Sequence, residues 1–326
     1  LRYADEALSI NDDAAAMLLP NLTAAMADQS VRTAAIPYLK DDRPWIPDFV
    51  RYAAASADHV ADVTRLVIAA GGLPPTVRYE GLDAQILRGL ARRYEFALAK
   101  AYVRQMTSGH GHFLGDVGFV GASADPRFGP FAWSFVDQID LGAQIDEQGV
   151  LEIHASPSHR GTVATRILIL DPGIYRFGQK VPSSTGRDGG TGTWELRCLS
   201  ADRADIIWTM QFSGRSDSAV SASEVTIPSS CAGQQLSLLA EGSDIDDAAN
   251  MVISEPTMTR IGDSLQRWTG ETTRLGVPLL EKHLPSLRGP RYYLSGSTSF
   301  ISDLCQQIER AGVPPGDIRI EMYAGY

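Results

Sequence analysis

The hydrophobic period of the chain changes between Met106 and Gly118, from a helical repeat of three and four residues to a strand-like repeat of two. No single layer of secondary structure accommodates both halves. On the helical side, Leu82, Ile86, Leu87, Leu90, Tyr94, Ala97, Leu98 and Ala101 form one apolar stripe, which predicts an amphipathic helix over 82–102. Shorter helices are predicted where Ile46, Phe49, Val50 and Ala53 share a face, and where Val60, Val63, Val67 and Ala70 do. Gly71, Gly72, Pro74 and Pro75 stop the second of these.

Beyond Gly118 the turns are rich in Gly, Pro, Ser and Asp. Nine candidate strands begin at Phe131, Val150, Thr162, Ile174, Thr193, Asp205, Ser223, Gln234 and Asn250. Successive strands with no intervening helix predict an antiparallel sandwich. In the string DIIWTMQF, Ile206, Trp208, Met210 and Phe212 share one face, while Asp205, Thr209 and Gln211 point the other way. Trp133, Trp194 and Trp208 each sit among apolar residues of the same parity, so they are expected to fill the core. The competing role is a stacking platform for sugar rings.

After Pro256 the grammar changes again, to helix, buried strand, helix and strand, the order of a parallel βαβ unit. The strand RYYLSG ends at Gly296, Ser297 to Ser299 can cap the following helix, and Gly312, Pro314 and Pro315 close it. The expected fold is therefore multidomain: a helical domain over 1–112, a β-sandwich over 113–256 and a short α/β segment over 257–326.

Three resemblances follow from quoted motifs. The strings YADEAL near the start and YEFALAKAY at Tyr94 to Tyr102 resemble tetratricopeptide helices, which makes the first domain either a degenerate helical repeat or a plain bundle of helical hairpins. GPFAWSF at Gly129 to Phe135, LDPGIYRF at Leu170 to Phe177 and IPSSCAGQQLSLL at Ile227 to Leu239 resemble the jelly-roll, carbohydrate-binding-module-like sandwiches of exported bacterial proteins, which implies sugar binding. The last seventy residues resemble the end of the NAD(P)-binding domain of ferredoxin-NADP reductase-type flavoenzymes. Trp268, Gly270, Glu271 and Thr272 match the first motif, Gly296 the central glycine, Ala311, Gly312 and Val313 the third, and Glu321 with Tyr323 the last. The resemblance implies that Ser295 and Gly296 lie beside a nicotinamide ring, with Tyr323 stacked on a flavin and Glu321 close by. Ser295 stands where the family usually has Cys, and Ser297 and Thr298 where Pro shapes the turn.

The cofactor machinery is incomplete. No R-x-[YF]-[ST] strand is present to hold a flavin pyrophosphate. The only lookalike of a phosphate-binding loop, GGTGTWE at Gly189 to Glu195, runs into a strand, so it offers no helix N-terminus to a phosphate. The four carboxyl-terminal site residues are accordingly read as vestigial, and no cofactor is expected. FAD and NAD(P) enter only if the chain is an oxidoreductase fragment completed by domains outside it.

A net charge of −10 and the lack of a basic cluster interleaved with aromatics argue against nucleic acid. No apolar run approaches the roughly 20 residues of a membrane helix. Three cysteines cannot supply the four thiolates of an iron-sulfur cluster. Cys198 and Cys231 fall near the ends of two predicted strands. They are either a bridged pair, which would imply a periplasmic or envelope-associated address, or two buried thiols. His110, His112, His154 and His159 are read as solvated rather than metal-binding, and the acidic string at 242–250 as a solvated loop rather than a calcium site. The function expected from the sequence is noncatalytic binding or scaffolding, with the helices contacting a protein partner and the sandwich a glycan or protein. The alternative is an NAD(P)H-dependent flavin oxidoreductase fragment.

Overall fold

A computed structural model of the chain describes all residues except 11–12, 108–110, 182–189, 201–204, 214–218, 243–248, 263–274, 285, 297 and 323–326. The chain forms two compact units, Leu1–Ser264 and Leu265–Tyr326.

Among the described residues the first unit opens with seven α-helices: α1 (Arg2–Ile10), α2 (Asp13–Ala25), α3 (Gln29–Lys40), α4 (Ile46–Ala55), α5 (Val60–Ala70), α6 (Leu82–Arg92) and α7 (Phe96–Met106). They stack as two layers, with α3 on α5 and α5 on α7 in one, and α2 on α4 and α4 on α6 in the other. Local chemistry fixes the ends. The Asp28 carboxylate accepts the Ser30 amide at 2.7 Å to cap α3. Gly71 closes α5 at φ +96°, a conformation that costs a residue without Cβ nothing. Helix α5 buries Val60, Val63 and Val67, as their spacing predicts.

The single helix expected over 82–102 is instead two, α6 and α7. Tyr94 lies between them at φ +58°, and the Glu95 amide returns to the Leu90 carbonyl at 3.0 Å. Both helices face one core through Leu82, Ile86, Leu87 and Leu90 on α6 and Phe96, Ala99 and Val103 on α7. The apolar spacing therefore carries through the reversal, and no Gly or Pro marks it.

Among the described residues ten strands follow: β1 (Ser134–Phe135), β2 (Leu141–Ile145), β3 (Leu151–Ala155), β4 (Arg160–Leu168), β5 (Gly173–Val181), β6 (Thr191–Leu199), β7 (Ile206–Ser213), β8 (Ala219–Ile227), β9 (Gly233–Glu241) and β10 (Ala249–Gly262). One sheet has the order β1-β4-β9-β6-β7 and the other β2-β3-β10-β5-β8, and the neighbouring strands in both are antiparallel. Taken without the edge strands β1 and β2, β3 to β10 interleave as an eight-stranded jelly roll. All nine predicted strands are present; β2, short and interrupted by Gly142, was not among them.

Strand β10 pairs β3 over Ala249 to Ile253 and β5 over Ser254 to Gly262. Pro256, expected at the join between sandwich and tail, sits inside this strand at a register shift between Ser254 and Thr257. A residue without an N–H is tolerated there because the ladder is already broken.

The sandwich core is a run of rings. Trp133, Trp194, Phe177 and Trp208 touch in sequence at centroid separations of 6.0, 5.4 and 5.2 Å. Their indole N–H groups are spent internally: Trp133 on the Gly118 carbonyl (3.0 Å), Trp194 on Gln179 Oε1 (2.6 Å) and Trp208 on Ser223 Oγ (3.1 Å). All three tryptophans are core, and none is a sugar platform. The Cys198–Cys231 disulfide ties the end of β6 to the turn before β9, across a Cα separation of 5.5 Å. Phe96 of α7 lies so close over Gly233 of β9 that a Cβ there would come within 2.5 Å of its ring. Helices and jelly roll are thus packed without a spacer.

The second unit contains α8 (Val277–His283), β11 (Tyr292–Gly296), α9 (Thr298–Arg310) and β12 (Ile318–Met322). Strands β11 and β12 are parallel, with Tyr292 opposite Ile318 and Gly296 opposite Met322. Helix α9 supplies the crossover and buries Ile301, Leu304 and Ile308 against Tyr292, Val313 and Ile318. Gly312 stops α9 at φ +90°. The fold class is a helical N-terminal region, an antiparallel jelly-roll sandwich and a short α/β segment.

Candidate functional site

Where α7 meets the end of the jelly roll, the first unit holds a cleft of about 530 Å³. Three elements build it. Lys100 and Arg104, four apart on α7, project from one helical face. Tyr175 of β5 and Arg260 of β10 are cross-strand partners and share one sheet face. Between them lie the β4–β5 turn, Ile169 to Asp171, and the segment Leu114 to Asp116.

The turn is pinned from several sides. Gln234, fully buried, accepts the Leu170 amide at 2.8 Å and donates to the Cys231 carbonyl at 2.9 Å, so the disulfide-bearing turn supports the cleft from behind. The Tyr175 hydroxyl donates to the Asp171 carbonyl at 2.9 Å, and Arg260 Nη2 to the Pro172 carbonyl at 2.9 Å. At Gly173 a Cβ would meet Arg260 Nε at 2.7 Å, so a glycine is what lets the guanidinium lie across the turn. Lys100 Nζ reaches Asp171 Oδ1 at 2.8 Å.

These contacts set the charges. The hydrogen bond from Lys100 holds the Asp171 carboxyl below its ordinary pKa, with Lys100, Arg260 and Arg104 adding electrostatic attraction. Burial pushes the Tyr175 phenol up. Asp116 accepts the Gly118 amide at 2.9 Å, and its charge reaches Arg166.

Arg166 is 1% exposed, its guanidinium carbon 5.5 Å from the Trp133 ring centroid and its Nη2 donating to the Phe113 carbonyl at 3.0 Å. Nε and Nη1 have no partner among the described residues. Burial pulls its pKa down to about 10, against the opposing pull of Asp116. The group remains a cation at neutral pH.

A second cleft, of about 450 Å³, lies among the helices. Its polar feature is Asp83, which accepts the Tyr102 hydroxyl at 2.5 Å. Burial raises both groups, and the Tyr102 hydrogen bond and nearby Arg127 partly offset this at Asp83.

The residues singled out in the sequence lie elsewhere. In the second unit, Ser295 is the cross-strand partner of Glu321, and Gly296 lies next to it at the end of β11. Tyr323, and Trp268 to Thr272 of the first reductase-like motif, lie outside the described residues. The end of GGTGTWE enters β6, a strand. His154 Nε2 meets the Gln138 carbonyl at 2.8 Å, while His159 Nδ1 meets the Pro157 carbonyl at 3.1 Å. His110 falls outside the described residues, among which no group of three or more ligating side chains is found.

The cleft residues Lys100, Arg104, Asp116 and Arg260 carry no motif. Asp171 and Tyr175 do fall within LDPGIYRF, whose Asp-Pro-Gly turn is the one local signal that could have pointed to the place.

No family model and no curated protein matches the chain. Among solved structures it is similar to one described as "CBM4 structure and function", at 12% identity over 38% of this chain and 76% of that one, TM-score 0.29. TmCBM61 in complex with β-1,4-galactotriose matches at 13% identity over 44% and 99%, TM-score 0.30. The CBM22-1 xylan-binding domain of Paenibacillus barcinonensis Xyn10C matches at 10% identity over 40% and 85%, TM-score 0.28. The jelly-roll assignment itself rests on the strand order within this chain.

Proposed function

We propose that the chain is a noncatalytic glycan-binding protein whose site is the cleft between α7 and the jelly roll. The observation that carries the reading is the composition of that cleft: Lys100, Arg104 and Arg260 as donors, Asp116 and Asp171 as acceptors, and Leu114, Ile169, Leu170 and Met258 as apolar wall. A sugar ring presents hydroxyls that both donate and accept, together with apolar C–H faces, and this lining answers all three. A volume of about 530 Å³ falls within the range of small-ligand sites. The tryptophans are not needed for the reading, since polar networks can orient a saccharide without a stacking ring. It assigns no step to a flavin or nicotinamide.

The stacked helices serve a protein partner in this reading, with their two-layer packing as the supporting observation. The disulfide supports a periplasmic or envelope-associated address, because such bonds persist in oxidising compartments. No helix among the described residues is long and apolar enough to cross a membrane.

The test is a glycan array probed with the intact chain and with a Lys100→Ala/Asp171→Ala double variant. Retention of a defined glycan class, lost in the double variant, is the expected result. Retention unaffected by the double substitution would place the site elsewhere, and no retention at all would end the proposal.

A further inference from the structure

We infer that the second cleft, among the helices, is a binding site for an alkylammonium group, a cationic nitrogen carried on an apolar stem. The inference stands apart from the glycan reading, which uses the other cleft. The walls divide by chemistry. Leu73, Pro74 and Val77 of the α5–α6 connection and Met106 of α7 make one part apolar, while Asp83 and Glu80 supply acceptors. Gln105 Nε2 donates to the Gly71 carbonyl at 3.0 Å and ties the end of α7 to the end of α5. The Tyr79 hydroxyl donates to Asp42 Oδ1 at 2.7 Å and anchors the far side of the connection. A volume of about 450 Å³ suits a small amine or a single lysine side chain of a partner.

The charges here do not cancel. Arg127 also lines the cleft, but its Nε and Nη2 are spent on Asp125 Oδ2 at 2.9 and 2.7 Å, so that pair is neutral. Asp83 accepts one hydrogen bond, from the Tyr102 hydroxyl, and neither Asp83 nor Glu80 has an ion pair among the described residues. Two negative charges remain. Helices α5 and α7 both end at the cleft, at Gly71 and at Gln105 to Met106, so the negative ends of two helix dipoles border it. The N-terminus of α6 acts against them, and Asp83 in its first turn answers it. Burial opposes the ionisation of Asp83, and a cation lodged beside the carboxylate relieves that cost.

The experiment is a ligand-observed NMR titration of the intact chain at pH 7 with two matched pairs. In one, n-pentylamine is set against n-pentanol; in the other, a capped Ala-Leu-Lys-Leu-Ala peptide is set against the same peptide with norleucine in place of lysine. The expected result is that a charged member binds about tenfold tighter than its neutral partner, a preference that weakens with added NaCl. Preference in the first pair alone assigns a free amine, in the second alone a lysine of a protein partner, and in both the ammonium group itself. Asp83→Asn, which keeps the side-chain volume and an acceptor for Tyr102, abolishes the preference, and Glu80→Gln lowers it by roughly two- to fourfold. The charged ligand at saturation raises the melting temperature of the parent and leaves that of Asp83→Asn unchanged. Equal binding of charged and neutral members, no binding by any of them, or a preference that survives Asp83→Asn would overturn the inference.

Discussion

Arg166 is a cation in the core of a jelly roll, and replacing it with methionine weighs its burial against its contacts. The fall of its pKa to about 10 corresponds to a burial penalty of about 3 kcal/mol on the charged form. Against this stand the hydrogen bond to the Phe113 carbonyl, about 1.5 kcal/mol for a charged donor, and the contact with the Trp133 ring, about 1 kcal/mol. Removing the charge while keeping the alkyl chain is therefore close to neutral, and Arg166→Met is expected to stay within about 1 kcal/mol of the parent. Arg166→Ala also removes packing against the aromatic core and is expected to lose about 2–4 kcal/mol. The assay is urea unfolding at pH 7 followed by fluorescence of the buried indoles, and the gap between the two variants is the readout. pH adds a second arm. A basic group whose folded pKa is lowered carries its penalty in full below that pKa, and sheds it as pH rises through about 10 toward the unfolded value. The parent should thus gain on Arg166→Met above pH 10. A loss of 3 kcal/mol or more in Arg166→Met (about the size of the burial penalty itself) would refute the reasoning. It would mean that the guanidinium is better partnered than is indicated by the two nitrogens that lack a partner among the described residues.

Three further outcomes follow from the packing. Gly233→Ala forces a methyl group toward the Phe96 ring and is expected to cost about 1–3 kcal/mol, read as a lower melting temperature; an unchanged melting temperature would mean that α7 does not press on β9. Replacing Cys198 and Cys231 together by serine opens a loop of 33 residues' separation and should cost about 3–4 kcal/mol by the chain-entropy relation, seen as a shifted urea midpoint under non-reducing conditions. Asp83 has a raised folded pKa, so its ionisation opposes folding: the penalty is absent below the unfolded carboxyl pKa, and it grows as pH rises through the folded value. Asp83→Asn is expected to be more stable than the parent at pH 7 and to lose that advantage at pH 3, measured by melting temperature across the range.

The sandwich was legible because alternation is a local property. The string DIIWTMQF states which side of β7 is wet, and Trp208, Met210 and Phe212 are buried accordingly, while Ile206, expected on the same core face, is exposed at the start of the strand. The α5 stop at Gly71 was legible for the same reason. The break between α6 and α7 was not, since Tyr94 adopts its positive φ without a glycine and both flanking helices face one core. The full length of β10 was hidden by Pro256, which reads as a boundary until its place at a register shift is known. The cleft was the least visible feature. Lys100 and Asp171 lie 71 residues apart and meet where α7 packs on the jelly roll, a packing that includes Phe96 over Gly233. The reductase-like motifs were conspicuous by contrast, yet of their residues Tyr323 and Trp268 lie outside the described part of the chain.

Hydrogen exchange of the intact chain, with and without a saccharide retained on the array, tests the central claim most directly. The account expects added protection in the segments around Lys100 to Arg104, Leu114 to Asp116, Ile169 to Tyr175 and Met258 to Arg260, with the second unit unchanged. Protection confined to β11 and β12, or to a sandwich face away from α7, would contradict it.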